Sequence, residues 1–271
     1  MFIRKPLTTR KIAAPKAGRP EAVAARPARR PRPPKPVDQA TLVEIFRRFR
    51  ETNPEPKGEL EHVDAYTLTV AVVLSAQATD AGVNKATREL FKVADTPQKM
   101  VALGEERLRG YIKTVNFNPT KARNIIALSR KLVDEHGGVV PPARAVLESL
   151  PGVGRKSASV VLNMAFGEPT IAVDTHIYRV SNRIPLVVTK TPDETQVALE
   201  TIVPDEFRLH CHHWLILHGR YVCKARKPEC YRCLIRDLCR FEPKTPAPDP
   251  VSLAGKGRGR GRDATEPPLS D

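Results

Sequence analysis

The sequence predicts an all-α protein. Apolar residues recur at three- and four-residue spacing through most of residues 38–241, and helix start and stop signals punctuate that stretch at short intervals. No segment keeps the every-other-residue alternation of a half-buried strand. About ten short helices are expected, stacked more than one layer deep.

Leu42, Ile45, Phe46 and Phe49 fall at i, i+3, i+4 and i+7, and Asn53-Pro54 stops that first helix. Residues 65–76 are apolar on every side, which predicts a helix in the middle of the fold. Thr96-Pro97 is an N-cap with proline at the first helical position, and Thr191-Pro192 repeats the signal. Ala122, Ile125, Ile126 and Leu132 stripe another helix that Gly137-Gly138 closes. Leu150-Pro151-Gly152-Val153-Gly154-Arg155-Lys156 reads as a two-glycine hairpin that ends one helix and opens the next. That next helix carries Ala158, Val161, Leu162 and Ala165 and ends at Gly167. Asp205 to Leu217 gives a last long helix.

Charge is unevenly spread. The formal balance is +15 over 271 residues. Residues 1–37 hold 11 basic residues and one acidic residue, residues 242–271 hold five of each sign, and residues 38–241 hold 29 basic against 24 acidic. The excess points to a polyanionic partner. The N-terminal stretch has eight prolines and no serine, so it is expected to be disordered, and the Gly-Arg repeat at residues 255–262 reads as a flexible basic spacer. Neither stretch has the apolar run of a secretory signal, and no run of about twenty apolar residues suggests a membrane span.

Lys156 falls in the first turn of a helix, where unpaired N–H groups and the helix dipole favour an anion. A lysine there either grips a phosphate as a cation or loses its proton and attacks carbon as an amine. Asp174 lies eighteen residues further on, before Ile177, Tyr178 and Val180, where it can cap a helix, serve chemistry, or do both.

Four of the five cysteines, Cys223, Cys230, Cys233 and Cys239, form a C-x6-C-x2-C-x5-C pattern within 17 residues. The chain lacks the cysteine density of a disulfide scaffold, so the quartet predicts a metal site. Tetrahedral zinc and an iron–sulfur cluster both accept four thiolates; the single C-x2-C pair favours iron–sulfur. Cys211 reads as a small buried hydrophobe, and His212, His213 and His218 as packing residues. Lys224, Arg226 and Lys227, in the six-residue loop, form a basic knob suited to phosphate contact.

From Leu74-Ser75-Ala76-Gln77-Ala78-Thr79-Asp80, through the hairpin and Asp174, to His212-His213-Trp214-Leu215-Ile216-Leu217-His218-Gly219-Arg220 and the four cysteines, the chain resembles bacterial endonuclease III. That family comprises DNA glycosylase/AP lyases for oxidised pyrimidines, and the resemblance covers about residues 38–241. It implies a helix–hairpin–helix glycosylase fold. A six-helix barrel domain is expected over 58–169, with the hairpin motif at about 146–166. A smaller iron–sulfur domain is expected from 38–57 and 170–241, holding one [4Fe–4S] cluster on the cysteine quartet, with tails at 1–37 and 242–271.

The resemblance also implies roles. Lys156 attacks C1′ of a nucleotide rotated out of the duplex, expels the base, forms a Schiff base, and elimination then breaks the strand on the 3′ side. Asp174 stabilises the charge that builds on the sugar, and burial together with neighbouring positive charge keeps Lys156 neutral. Gln77 fills the gap left by the nucleotide. Gly152 and Gly154 adopt angles closed to other residues and bare their N–H groups to a phosphate, with Arg155 and Lys121 as further phosphate contacts. Where the family often has glycine before a wedge residue, this chain reads Val115-Asn116-Phe117-Asn118-Pro119. Asn116 is then expected to take the left-handed backbone and Phe117 to wedge into the opposite strand. The expected partner is duplex DNA carrying oxidised pyrimidines or abasic sites, bound by a monomer on the bacterial nucleoid in the cytoplasm. A redox-sensing iron–sulfur DNA binder without catalysis is the alternative from a different class.

Overall fold

Side-chain caps set most of the boundaries in the computed structural model, which describes residues 34–248. Asp38 opens α1 (Gln39–Thr52) by accepting from the Thr41 N–H at 2.8 Å, and Asp64 opens α2 (Ala65–Ser75) through a reciprocal box with Thr67. Thr79 caps α3 (Asp80–Leu90), and Thr96 with Pro97 opens α4 (Pro97–Leu103). Then come α5 (Glu105–Tyr111), α6 (Asn118–His136), α7 (Arg144–Ser149) and α8 (Arg155–Phe166). Asp174 caps α9 (Thr175–Arg183), Thr191 caps α10 (Pro192–Ile202), and α11 (Asp205–Tyr221) runs one turn past its expected end. A 3-10 turn at Cys230–Arg232 follows. No strand occurs among the described residues. The all-α expectation holds.

Apolar side chains gather into two cores. One is built from residues between Tyr66 and Leu162, with α2 at its centre: every residue from Tyr66 to Leu74 is buried. The other joins Val37, Leu42, Ile45, Phe46 and Phe49 to residues between Ile171 and Ile235. Phe46 stacks on Phe207 with ring centroids 5.8 Å apart, and Trp214 Nε1 donates to the Asn53 carbonyl at 2.8 Å. The first helix therefore packs with the last rather than with its neighbour in sequence.

The expected tails lie largely outside the described residues. Ordered chain nevertheless begins before residue 38: Val37 is buried and its N–H donates to the Pro185 carbonyl at 3.0 Å.

Candidate functional site

The hairpin between α7 and α8 turns on Gly152, whose φ of +81° suits glycine; a Cβ there would also meet the Asn124 side chain at 3.0 Å. Gly154 differs from the expectation. Its φ is −94°, open to any residue, and a Cβ there would meet nothing within 4 Å. Its lack of a side chain relieves no backbone strain and leaves the surface there open. No side chain caps α8, so its first-turn N–H groups are left for an external acceptor, and Arg155 at the first position is exposed.

Lys156 is the second residue of α8. Its Nζ lies 3.8 Å from Asp174 Oδ2, with the lysine side chain 52% exposed and the aspartate 11%. Asp174 Oδ1 accepts from the backbone N–H groups of His176 and Ile177 at 2.8 and 2.9 Å. One oxygen thus caps α9 while the other faces Lys156. Burial, expected to help keep this lysine neutral, is not supplied by the free protein.

Lys156 opens onto a cavity of about 210 Å³, lined also by Gln77, Glu59, Asp80, Arg220, His212 and His213. Burial pushes His212 down to about 3 and His213 to about 4, so both are neutral imidazoles, and Nδ1 of each is buried without a hydrogen-bond partner among the described residues. They were expected only to pack; they also form part of the cavity wall.

Gln77 and Phe117 are the two non-glycine residues of the described chain with positive φ, at +55° and +57°. Gln77 is exposed just past α2, and Phe117, at the start of α6, is 61% exposed. The left-handed residue is Phe117, not Asn116 as expected; the Asn116 side chain donates to the Gln77 carbonyl at 2.9 Å. Two strained residues thus stand on adjoining loops. Lys121 also departs from its expected role. It is 5% exposed, and its Nζ donates to the carbonyls of Leu74 and Ala76 at 2.8 and 2.6 Å, closing the C-terminal end of α2 instead of meeting a phosphate.

Cys223, Cys230, Cys233 and Cys239 line one pocket with Ile184, Val222, Ile235 and Phe241, and none is disulfide-bonded. Burial pushes Cys233 up to about 11 and raises Cys239, and the neighbouring sulfurs add to both, so thiolates there call for a positive partner. No three His, Cys, Asp or Glu side chains among the described residues converge on one ion. Four thiols lining one largely apolar pocket are a donor set that an iron–sulfur cluster accepts, one thiolate to each iron. The residues fit an iron–sulfur cluster. His218 Nε2 lies 3.8 Å from Cys233 Sγ, a contact beyond the packing role expected of it. Arg183 holds the following loop through the carbonyls of Lys224 and Ala225 at 2.7 and 2.9 Å. Lys224 pairs with Glu229 at 2.6 Å, while Arg226 and Lys227 are exposed and form no ion pair among the described residues. Cys211 is fully buried.

Among the described residues no helix is long and apolar enough to cross a membrane. Residues 70–205 match the HhH-GPD superfamily of base excision DNA repair proteins. Endonuclease III of Treponema pallidum is 56% identical over 203 residues, 75% of this chain and 96% of its own. Endonuclease III of Escherichia coli K12 is 53% identical over 208 residues, 77% of this chain and 99% of its own. A solved structure of a trapped endonuclease III–DNA covalent intermediate, in an estranged-adenine complex, superposes with a TM-score of 0.71 at 41% identity, covering 75% of this chain and 96% of that one. A non-covalent endonuclease III–DNA complex gives the same values.

Proposed function

Since this chain belongs to the HhH-GPD superfamily and, within it, to the endonuclease III family, we propose that it removes oxidised pyrimidines from duplex DNA through a Schiff base on Lys156 and then cleaves the strand by β-elimination. It is a DNA glycosylase/AP lyase of base excision repair that acts on DNA. The observation that carries the finer reading is the Lys156–Asp174 pair: an amine and a carboxylate oxygen 3.8 Å apart, at the starts of two helices, at the mouth of one cavity. A relative has been trapped as a DNA covalent intermediate, which suits an amine nucleophile.

In the proposed sequence a nucleotide leaves the stack and enters the cavity. Asp174 Oδ2 takes the lysine proton, and the neutral Nζ attacks C1′ as the bond to the base breaks. Covering by the nucleotide supplies the desolvation that the half-exposed lysine lacks in the free protein. The sugar ring opens to a Schiff base. Loss of a proton from C2′ then expels the 3′ phosphate, and water releases the enzyme. Phe117 enters the opposite-strand stack and Gln77 the vacated gap. The bare N–H groups at Gly152 and Gly154, with Arg155, Arg226 and Lys227, hold phosphates. Cys223, Cys230, Cys233 and Cys239 would hold one [4Fe–4S] cluster, which when bound supplies a covalent staple for the basic loop. The protein works as a monomer.

Borohydride reduces a Schiff base to a stable amine, so the full chain incubated with an abasic duplex and borohydride is expected to become covalently joined to it. Lys156→Gln is expected to bind the duplex and give no adduct. Undiminished trapping by that variant would remove Lys156 as the nucleophile.

A further inference from the structure

Arg220 stands near the end of α11, and its Nη1 donates to two carboxylates: Glu59, from the segment before α2, and Asp80, the first residue of α3. The Tyr221 hydroxyl donates to the other oxygen of Glu59. These partners are 161 and 140 residues away from Arg220 in sequence, yet all line the cavity that holds Lys156. Arg220 is 27% exposed, and its Nε and Nη2 have no hydrogen-bond partner among the described residues.

An arginine in a DNA-binding protein ordinarily meets a phosphate, but this one is over-neutralised. Two carboxylates against one guanidinium leave the trio net negative, which repels a phosphate and tolerates a neutral ligand with carbonyl oxygens. The carboxylates instead fix the planar fork, so its unused donors keep one orientation. In a cavity beside the nucleophile, the neutral carbonyl-bearing ligand is the extruded base.

We infer that Arg220, oriented by Glu59 and Asp80, donates to the ring carbonyl next to the glycosidic nitrogen of the extruded base and stabilises that base as it leaves. The inference rests on the Lys156 reading above. As the Nζ–C1′ bond forms, the C1′–N1 bond breaks and its electron pair goes to N1. That nitrogen is conjugated with the C2 carbonyl, so the carbonyl oxygen takes part of the charge until a proton from water restores the neutral base. A guanidinium N–H placed there is bonded more strongly in the transition state than before it. The substrate class follows. Saturation or oxidation at C5 and C6 leaves the C2 carbonyl intact, so a site that reads this group accepts many damaged pyrimidines.

An abasic site has no base to contact, which separates this role from a structural one. Two reactions are compared under single-turnover conditions: base release from a duplex carrying a saturated pyrimidine, and cleavage of the same duplex carrying an abasic site. Arg220→Met is expected to slow base release by roughly 100-fold, the loss typical of one such donor, with abasic cleavage and borohydride trapping near wild type. Arg220→Lys keeps a cation between Glu59 and Asp80 without the fork, and is expected to show the same split. If both reactions fall together in Arg220→Lys, or base release is unchanged in both variants, the assignment is overturned. A wild-type chain that borohydride fails to trap on the abasic duplex overturns the Lys156 reading and this one with it. A trapped wild type with unsplit Arg220 variants overturns this one alone.

Discussion

Asp174 divides its carboxylate between structure and chemistry, and two substitutions separate the tasks. Asn remains a good cap, so Asp174→Asn is expected to keep thermal stability while single-turnover base release falls by roughly 10²–10³-fold. Asp174→Ala should lose the same activity and also about 1 kcal/mol of stability, read from denaturant titration. A fully active Asn variant would leave this residue as a cap alone. The place of each residue at a helix start was legible because helix starts are written locally, whereas their joint role came only from the family resemblance. Lys121 was misplaced for the opposite reason: the carbonyls that hold it belong to Leu74 and Ala76, 47 and 45 residues upstream, and nothing near Lys121 announces them. The setting of Arg220 has no local signal either, since Glu59 and Asp80 reach it only through the fold.

Helices were legible where a cap with proline or a closing glycine stood at the boundary, as at Thr96-Pro97, Thr191-Pro192 and Gly137, but α3, capped by Thr79, and α5, begun at Gly104, were not. Nor was the loop before α6. Asparagine tolerates the left-handed region better than phenylalanine, yet Phe117 holds it while the Asn116 side chain donates to the Gln77 carbonyl. Phe117 is exposed, so Phe117→Gly is expected to cost no stability and to relieve strain of about 1 kcal/mol, whereas truncating a buried phenylalanine costs about 3–5 kcal/mol. The same variant should slow base release from a fully paired lesion duplex about tenfold through the lost stack. A destabilised variant with normal turnover would make Phe117 a packing residue instead of a wedge.

On the scale of the whole molecule the two cores differ in how they use the chain. One is continuous, from Tyr66 to Leu162; the other unites the first helix with residues 171–235 and the cysteine loop. The quartet was plain in sequence because its spacing is local, whereas the partnership of α1 with α11 needed coordinates. If the quartet holds an iron–sulfur cluster, the purified chain is expected to be brown, with broad visible absorption that bleaches as iron is removed, and its thermal midpoint should fall with the bleaching. A colourless protein containing zinc would overturn the assignment. The discontinuous core also sets a timetable during synthesis. As the ribosome extrudes the chain, the middle helices already have the apolar partners of their own core and can close first. The amphipathic first helix must wait, its aromatic face uncovered, until nearly the whole message has been read, so a truncated product leaves that face available to chaperones and proteases.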